Sequence, residues 1–319
     1  ALVRESIAGL TGEGHLSGLL QAVMILFNLL ILLALYHAAL EGRFTKVITF
    51  AILGAALIAI VPIAQSGFDF RGSAIQEREI GTFNNPNQLA YFSACLFSIA
   101  GLGFATKRIP LAYCLAVLAI SLVLTMVSLS KAALFGCGAA LIMLGFVFFR
   151  SFTARILATS MVLVAAVYFM FQIDFSGGEN YKFVLRLMDV GSDHDDNLRN
   201  RGYFVLYDGA DTILEMFFGL GFKKVLTVLG HEVHSTLAVN FMNYGLVGGT
   251  IYLAFIGSWM SRMLDRSGAS VAAAILLPPM LYGVAHNGTR FTIFYVLIAL
   301  TLCWTSGPAA PQSNRTESF

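Results

Sequence analysis

Charge is scarce in this sequence. Only 12% of the 319 residues are Asp, Glu, Lys or Arg, whereas 57% are hydrophobic and the mean hydropathy is +0.77. A soluble globular domain carries about 25% charged residues. The composition excludes an ordinary soluble fold and predicts an all-α polytopic membrane protein. The small net charge of +2 gives no reason to expect a nucleic-acid partner.

Cysteine and the common catalytic motifs are also scarce. All four cysteines, Cys95, Cys114, Cys137 and Cys303, fall inside apolar runs, where they behave as small core residues. We therefore expect no disulfide framework and no cysteine metal site. No Walker motif, GxSxG elbow or nucleotide-binding pattern is present in the sequence. We expect an activity without metal or cofactor, on a substrate that is already activated.

Long apolar runs are abundant. A membrane-spanning helix needs about 20 mostly apolar residues, and nine runs qualify: 16–40, 45–65, 88–106, 110–129, 132–149, 156–172, 234–258, 270–286 and 290–306. The run 270–286 contains Pro278 and Pro279, which would kink a helix. The sequence begins at Ala1 without an initiator methionine, and we expect further spans upstream. Residues 1–319 are predicted to form one transmembrane domain with a single long loop, 173–233.

The short loops predict an orientation. The loops 41–46, 107–108, 150–155 and 261–266, with the C-terminal tail, hold nine Lys or Arg and three Asp or Glu. By the positive-inside rule these loops are cytoplasmic. The sequence thus predicts an external N-terminus and a cytoplasmic C-terminus.

The opposite face collects cationic and imidazole side chains from several segments. The segment around Arg78 and Asn87, the start of the run at Lys131, the long loop, and the segment HNGTR all lie there. They contribute Arg78, Asn87, Lys131, Arg199, Arg201, His231, His234, His286 and Arg290. We expect this external face to be the functional one.

Two cations stand at the ends of spans. Lys131 follows Ser128-Leu129-Ser130 at the start of a run, and Arg290 follows Asn287 by three residues. A charge at such a depth is costly unless it faces a wet or paired site. Each either snorkels to the membrane interface or binds an anionic headgroup, and the sequence alone leaves both possibilities open.

Arg199 and Arg201 open the functional part of the long loop. They lie near Asp193, Asp195 and Asp196, so a local salt-bridge cluster is one interpretation. Guanidinium is also well suited to bidentate binding of phosphate. The following stretch, 203–218, is amphipathic and predicts apolar positions on the membrane surface. That placement would hold Arg201 at headgroup depth.

His231 and His234 lie just before the next run. A His at the start of a helix is more often a capping or interface residue than a catalyst, but its pKa suits proton transfer at neutral pH. No third ligand stands at metal-binding spacing, which argues against a metal site. Gly219-Leu220-Gly221 alone is too short to indicate a phosphate loop.

Four segments together resemble the superfamily of O-antigen ligases and polymerases, bacterial membrane glycosyltransferases. GTFNNPNQLA at 81–90 is similar to a Gly-Thr-Phe-x-x-Pro-Asn segment of that family, and SLSKAA resembles its Ser-Arg segment with Lys131 in place of Arg. Arg201 precedes Gly219-x-Gly221 as an Arg precedes the family's Gly-x-Gly. His234-Ser235, followed after nine residues by Gly245, fits the ligases' pattern.

The resemblance implies a function. A glycan would pass from a polyprenyl diphosphate to an acceptor hydroxyl on the periplasmic face of the bacterial inner membrane. Arg78, Lys131, Arg201 and Arg290 would stabilise the leaving diphosphate, and His234 would orient or deprotonate the acceptor. The family usually has ten to fourteen spans. Lys131 keeps the charge of the family's Arg but lacks its guanidinium fork, which leaves the exact role of Lys131 open.

Alternatives remain at this stage. The acceptor is lipid A–core for a ligase, a second lipid-linked glycan for a polymerase, and a protein side chain for a pilin-type oligosaccharyltransferase. A transporter or flippase of the same lipid-linked glycan is a different class. It would require ionisable residues at mid-membrane depth and internal repeats, and the sequence has neither.

Overall fold

The computed structural model is helical. It describes residues 16–40, 44–68, 70–72, 78–149, 151–153, 155–157, 159–160, 164, 180–188, 197–199, 201–231 and 233–305. The helices within these residues are α1 Leu16–Leu40, α2 Thr45–Ser66, α3 Pro86–Ala105, α4 Leu111–Ser128, α5 Lys131–Phe148, α6 Lys182–Met188, α7 Val205–Gly209, α8 Ile213–Phe218, α9 Gly221–Leu229, α10 Thr236–Ser267, α11 Ala269–Ala285 and α12 Thr292–Trp304. The two strands are β1 Arg71–Gly72 and β2 Asn180–Tyr181.

Six of these helices, α1 to α5 and α10, are long and apolar enough to cross a membrane. This finding supports a polytopic α-helical membrane protein. The predicted count of nine is not supported. Helices α11 and α12 have 17 and 13 residues, which at about 1.5 Å per residue is shorter than a hydrocarbon core of about 30 Å. Most of the remaining run, 156–172, lies outside the described residues.

Helix α3 is the centre of the bundle. It is 78% buried over its most apolar window, compared with 6% for the peripheral helix α1. Its N-terminus is well defined because Asn85 accepts hydrogen bonds from the backbone N–H groups of Asn87 and Gln88, with Pro86 as the first helical residue. Ser93 lies within hydrogen-bonding distance of Thr125 of α4, 2.9 Å between the hydroxyls, so these two polar groups are paired inside the bundle.

Helix α11 runs through both of its prolines without a break. It packs closely on α5, where a Cβ at Gly136 would lie 2.8 Å from the Cα of Pro278. The absence of a side chain at Gly136 therefore lets the two helices approach at the prolines. The kink predicted from the tandem prolines stays a prediction.

The helix ends form two groups. Helices α2, α4 and α11 end where α3, α5, α10 and α12 begin, and we call this the site end. Side chains join these ends, since Tyr282 donates to the carbonyl of Asn87 and Thr236 donates to that of His286. Helices α6 to α9 connect here. Strands β1 and β2 pair antiparallel, which ties the long loop to the segment between α2 and α3.

Candidate functional site

The long loop is fixed to α10 by a crossing of glycine backbones. The amide of Leu220 donates to the carbonyl of Met242, 2.7 Å. Gly245 interrupts α10 with φ 66° and ψ −166°. A Cβ at Gly245 would lie less than 3.0 Å from backbone atoms of Gly219 and Phe217, and a Cβ at Gly219 would clash with the backbone at Asn243. The glycines of the two sequence motifs thus have a structural role in one close approach.

Helix α10 begins at a well-connected corner. Ser235 caps it by accepting from the amide of Ala238. The hydroxyl of Thr236 donates to the carbonyl of His286, 2.8 Å, and accepts from the amide of Gly288, 2.6 Å. The segment after α11 is thereby held against the start of α10 by two hydrogen bonds through a single side chain.

Arg78 connects three segments at the site end. Its Nε donates to the carbonyl of Ser128 at 2.8 Å, and a terminal nitrogen donates to Oδ1 of Asn87 at 2.8 Å. The carbonyl of Asn87 in turn accepts from the hydroxyl of Tyr282. Arg78 and Asn87, two predicted site residues, are therefore in direct contact.

Arg201 lies at the end of α11. It donates to the carbonyl of Ala285, the last residue of that helix. Tyr203, two residues later, donates to the carbonyl of Val284 at 2.8 Å and accepts from the hydroxyl of Ser235 at 2.8 Å. A guanidinium at a helix C-terminus is favoured by the helix dipole. These bonds place Arg201 beside His286 and His234.

His286 is the point at which the cations meet. Burial, followed by the charges of Arg201, Arg78, His234 and Arg186, lowers its pKa from 6.5 to about 3. Its ring packs on that of Tyr282 with centroids 4.8 Å apart. His286 is therefore a neutral imidazole at physiological pH, surrounded by positive charge.

His231 and His234 are stacked, with ring centroids 5.0 Å apart. His231 lies beside a second group of polar residues. It lines a small cavity together with Arg290, Asn287, Asn243 and Gln21. The backbone continues from His286 to Asn287, so this cavity adjoins the cationic cluster.

Lys131 starts α5 at a strained corner. Leu129, two residues earlier, has left-handed φ 51° and ψ 30°, a conformation that a residue with a Cβ rarely adopts. Ser130 is 2% exposed, and its hydroxyl has no hydrogen-bond partner in the described part of the chain. Lys131 is partly exposed and lies three residues after Ser128, the acceptor of Arg78. The corner belongs to the site end.

Arg199 stands apart from the others. It forms an ion pair with Asp208, 2.7 Å from a terminal nitrogen to Oδ2, and its side chain is 68% exposed. The alternative of a local salt bridge is therefore observed, although the partner is Asp208. The residues Asp193, Asp195 and Asp196 lie outside the described residues.

Several residues of the site were not predicted. Arg186 of α6 acts on the pKa of His286, yet no motif surrounds it. Tyr203, Thr236 and Tyr282 position the corner through hydroxyl hydrogen bonds to carbonyls that are distant in sequence, and Ser235 donates to the hydroxyl of Tyr203. Such bonds leave no signal in a single sequence.

The described residues contain no group of three His, Cys, Asp or Glu side chains that could hold a metal ion. Comparison of the chain with protein-family models, with curated proteins and with solved structures finds no match. The resemblance to the O-antigen ligases and polymerases stays a prediction.

Proposed function

We propose that this chain is a membrane glycosyltransferase that uses a polyprenyl-diphosphate-linked glycan as donor. The observation that carries the proposal is that two guanidinium groups reach the corner at His286: Arg201 donates to the carbonyl of Ala285, and Arg78 is joined through Asn87 to Tyr282, whose ring packs on His286. A diphosphate carries the charge and the acceptor oxygens that such a cluster of guanidinium groups recognises. Cations at the leaving group also stabilise the charge that develops during transfer.

The proposed reaction needs few protein groups. The oxygen of the acceptor hydroxyl attacks the anomeric carbon, and the bond from that carbon to the diphosphate oxygen breaks. The diphosphate leaves with the electron pair, and Arg78 and Arg201 stabilise it. His234 in its neutral form takes the hydroxyl proton. Lys131 and Arg290 stand at the border of this site and would bind more distant parts of the diphosphate or the sugar.

An apolar cavity next to the cluster supports a lipid substrate. It has a volume of about 190 Å³ and is lined by side chains of α3, α10, α11 and α12, among them Tyr91, Tyr252 and Phe294. Thr236 and Gly283 belong to its lining, and Thr236 donates to the backbone of His286. Only the side chain of Thr236 would therefore separate a lipid tail in this cavity from the backbone of His286.

We propose the finer topology on the same basis. With nine spans and the basic short loops in the cytoplasm, the site end faces the periplasm and the C-terminus is cytoplasmic. The membrane would be the bacterial inner membrane. The products would then belong to lipopolysaccharide or another surface polysaccharide.

The acceptor defines the branch of the activity. The spacing from His234 to Gly245 favours a ligase with lipid A–core as acceptor. A polymerase would instead use the end of a second lipid-linked glycan, and a pilin-type enzyme a protein side chain.

The test is a transfer assay with the purified protein in detergent. A polyprenyl-diphosphate oligosaccharide is supplied without nucleotide or metal, with and without lipid A–core. Transfer only with lipid A–core indicates a ligase, and longer lipid-linked chains without it indicate a polymerase. Loss of one stabilising donor typically costs about 10²–10³-fold in rate, so we expect Arg201→Gln to lose at least about 100-fold.

Arg199→Gln is the matched control. It removes the same charge from the same loop, but from an exposed ion pair that lies apart from His286. We expect it to retain activity within about twofold, since such pairs contribute little. Equal activity of Arg201→Gln and wild type would refute the role of Arg201. No product with either acceptor, while labelled donor crosses proteoliposome membranes, would favour the transporter.

A further inference from the structure

The end of the bundle opposite the site end contains an open cavity of about 530 Å³. This volume is in the range of small-ligand sites, about 300–1,000 Å³. The cavity lies where α3, α10 and α12 all end, and its lining is Ala105, Thr106, Lys107, Arg108, Arg266, Ser267, Val271, Trp304 and Thr305. Three cations line it, and its described lining contains no acidic side chain.

The charges of the helix ends do not cancel these cations. Each helix C-terminus carries roughly half a negative charge, so three ends offset only part of three full positive charges. Hydroxyl groups further reduce the exposed carbonyls, because Thr106, Ser267 and Thr305 each donate to the carbonyl four residues earlier, at 2.7, 2.6 and 2.6 Å. Arg266 also donates to the carbonyl of Leu302, at 3.2 Å. The three full positive charges of the lining thus exceed the partial charges of the helix ends.

Lys107 holds an unusual backbone position. Helix α3 ends in a Schellman motif, in which the amide of Arg108 donates to the carbonyl of Gly103 and that of Lys107 to the carbonyl of Phe104. The left-handed residue of this motif is usually glycine, but here it is Lys107 with φ 55°. The chain therefore accepts backbone strain where it presents a cation to the cavity.

Trp304 supplies a second observation. It is 4% exposed, it lines the cavity, and its indole N–H has no acceptor among the described residues. A buried donor without an acceptor is unfavourable. The N–H lies in the wall of the cavity with less than 1 Å² of accessible surface, so the charge of the three cations is what the cavity offers to an anion.

We propose that this cavity is a binding site for a phosphate group at the membrane surface. Lys107, Arg108 and Arg266 bind the charge, and the phosphate is that of an anionic phospholipid headgroup or of a free phosphate compound. The site lies at the opposite end of the bundle from the cationic cluster around His286. It does not depend on the glycosyl transfer proposed there.

The test compares two double variants in the purified full chain. Lys107→Gln/Arg108→Gln removes two cations from the cavity. Lys46→Gln/Arg262→Gln removes two exposed cations from the same end of the bundle that do not line it. The net charges of the variants are equal, so any difference between them reflects the cavity. Thermal unfolding of both verifies that the fold is kept.

The measurement is the dissociation constant of short-chain phosphatidylglycerol in neutral detergent, by native mass spectrometry, with phosphatidylcholine for comparison. Each basic residue near an anionic headgroup adds to the binding free energy of that headgroup. Loss of two such residues should therefore raise the dissociation constant of phosphatidylglycerol about 30-fold. We expect that loss in the cavity variant, less than about twofold in the control, and weak binding of phosphatidylcholine.

Inorganic phosphate distinguishes the two sources. If phosphate competes with phosphatidylglycerol and the cavity variant abolishes the competition, the ligand is a free phosphate compound. If phosphate does not compete, the ligand is a lipid headgroup. Equal losses in both variants, or no loss in either, would overturn the proposal, since the cations would then act only on membrane orientation.

Discussion

The glycine crossing between Gly219 and Gly245 gives a sharp prediction. We expect Gly245→Ala to detach the long loop from α10. Gly245 has φ 66° and ψ −166°, a region that is essentially restricted to glycine and costs another residue about 1–3 kcal/mol. The added methyl would also lie less than 3.0 Å from backbone atoms of Gly219 and Phe217, which cannot rotate away.

The magnitude follows from these two effects. Taking about 3 kcal/mol for strain and clash together, the open state of the loop should become about 100-fold more populated, at 1.4 kcal/mol per decade. Limited proteolysis follows that population when opening is fast relative to cleavage. Trypsin should therefore cleave at Lys223 about 100 times faster in the variant.

Gly257→Ala is the matched control. It lies on the same helix, and a Cβ there would meet nothing within 4 Å. Adding Gly219→Ala to Gly245→Ala should increase the rate of tryptic cleavage little further, because both substitutions open the same crossing. A thiol-reactive dye on the four buried cysteines measures the unfolding of the bundle separately. Cleavage of Gly245→Ala no faster than of Gly257→Ala would refute the reasoning.

Three further predictions concern the site end. The unfolded chain protonates His286 below pH 6.5, whereas in the folded chain its pKa is about 3. The free energy of unfolding of the wild type should therefore fall by about 2 kcal/mol between pH 6.5 and pH 5, and thermal unfolding of His286→Asn should lack that loss. Thr236→Val removes the partner of two backbone groups and should cost about 1–3 kcal/mol, whereas Thr227→Val at an exposed position should cost less than half of that in the same melt. Hydrogen bonding to Lys224 lowers the pKa of Glu215, so the packing of α8 on α9, which this pair joins, should weaken as the pH falls below 4.5, and the hydrogen-exchange protection of α9 in Lys224→Met should lack that dependence.

The spans were the most predictable part of the fold. The run 16–40 coincides with α1, and the runs 45–65 and 110–129 agree with α2 and α4 within one residue at each end. Apolar length alone determines these elements. The run 234–258 is shorter than α10, which extends to Ser267, because the charged turn at its end interrupts the hydropathy but not the helix.

The short helices were less predictable. The stretch 203–218 was expected to be one amphipathic segment, but it forms α7 and α8 with a break in which Thr212 caps α8. Most of its apolar residues are exposed, including Tyr207 at 79% and Ile213 at 72%, but Val205 and Leu206 are buried against α9 and α10. The pattern of apolar and polar residues predicts an amphipathic stretch. It does not show that the cap at Thr212 divides the stretch into two helices.

The site was predictable in part. The sequence places Arg78, Arg201, His234 and His286 on one face through the alternation of spans, and the described structure brings these four together. It does not bring Arg199 to them. The resemblance singled out Arg201 by its distance from Gly219-x-Gly221 but still kept Arg199 as a binding residue; the contacts separate the two, because Arg201 reaches Ala285 and Arg199 pairs with Asp208. That choice is made by tertiary contacts.

The central claim is that cations from separate segments form one diphosphate site. The most direct measurement is the affinity of purified protein for polyprenyl diphosphate, with the uncharged polyprenol as a control, in wild type, Arg201→Gln and Arg199→Gln. Hydrogen bonds to charged groups contribute about 1.5–3 kcal/mol, so Arg201→Gln should weaken binding of the diphosphate by at least about tenfold, with polyprenol binding unchanged. Arg199→Gln should bind as wild type does. Equal affinity of all three proteins, or equal loss in both variants, would contradict the account.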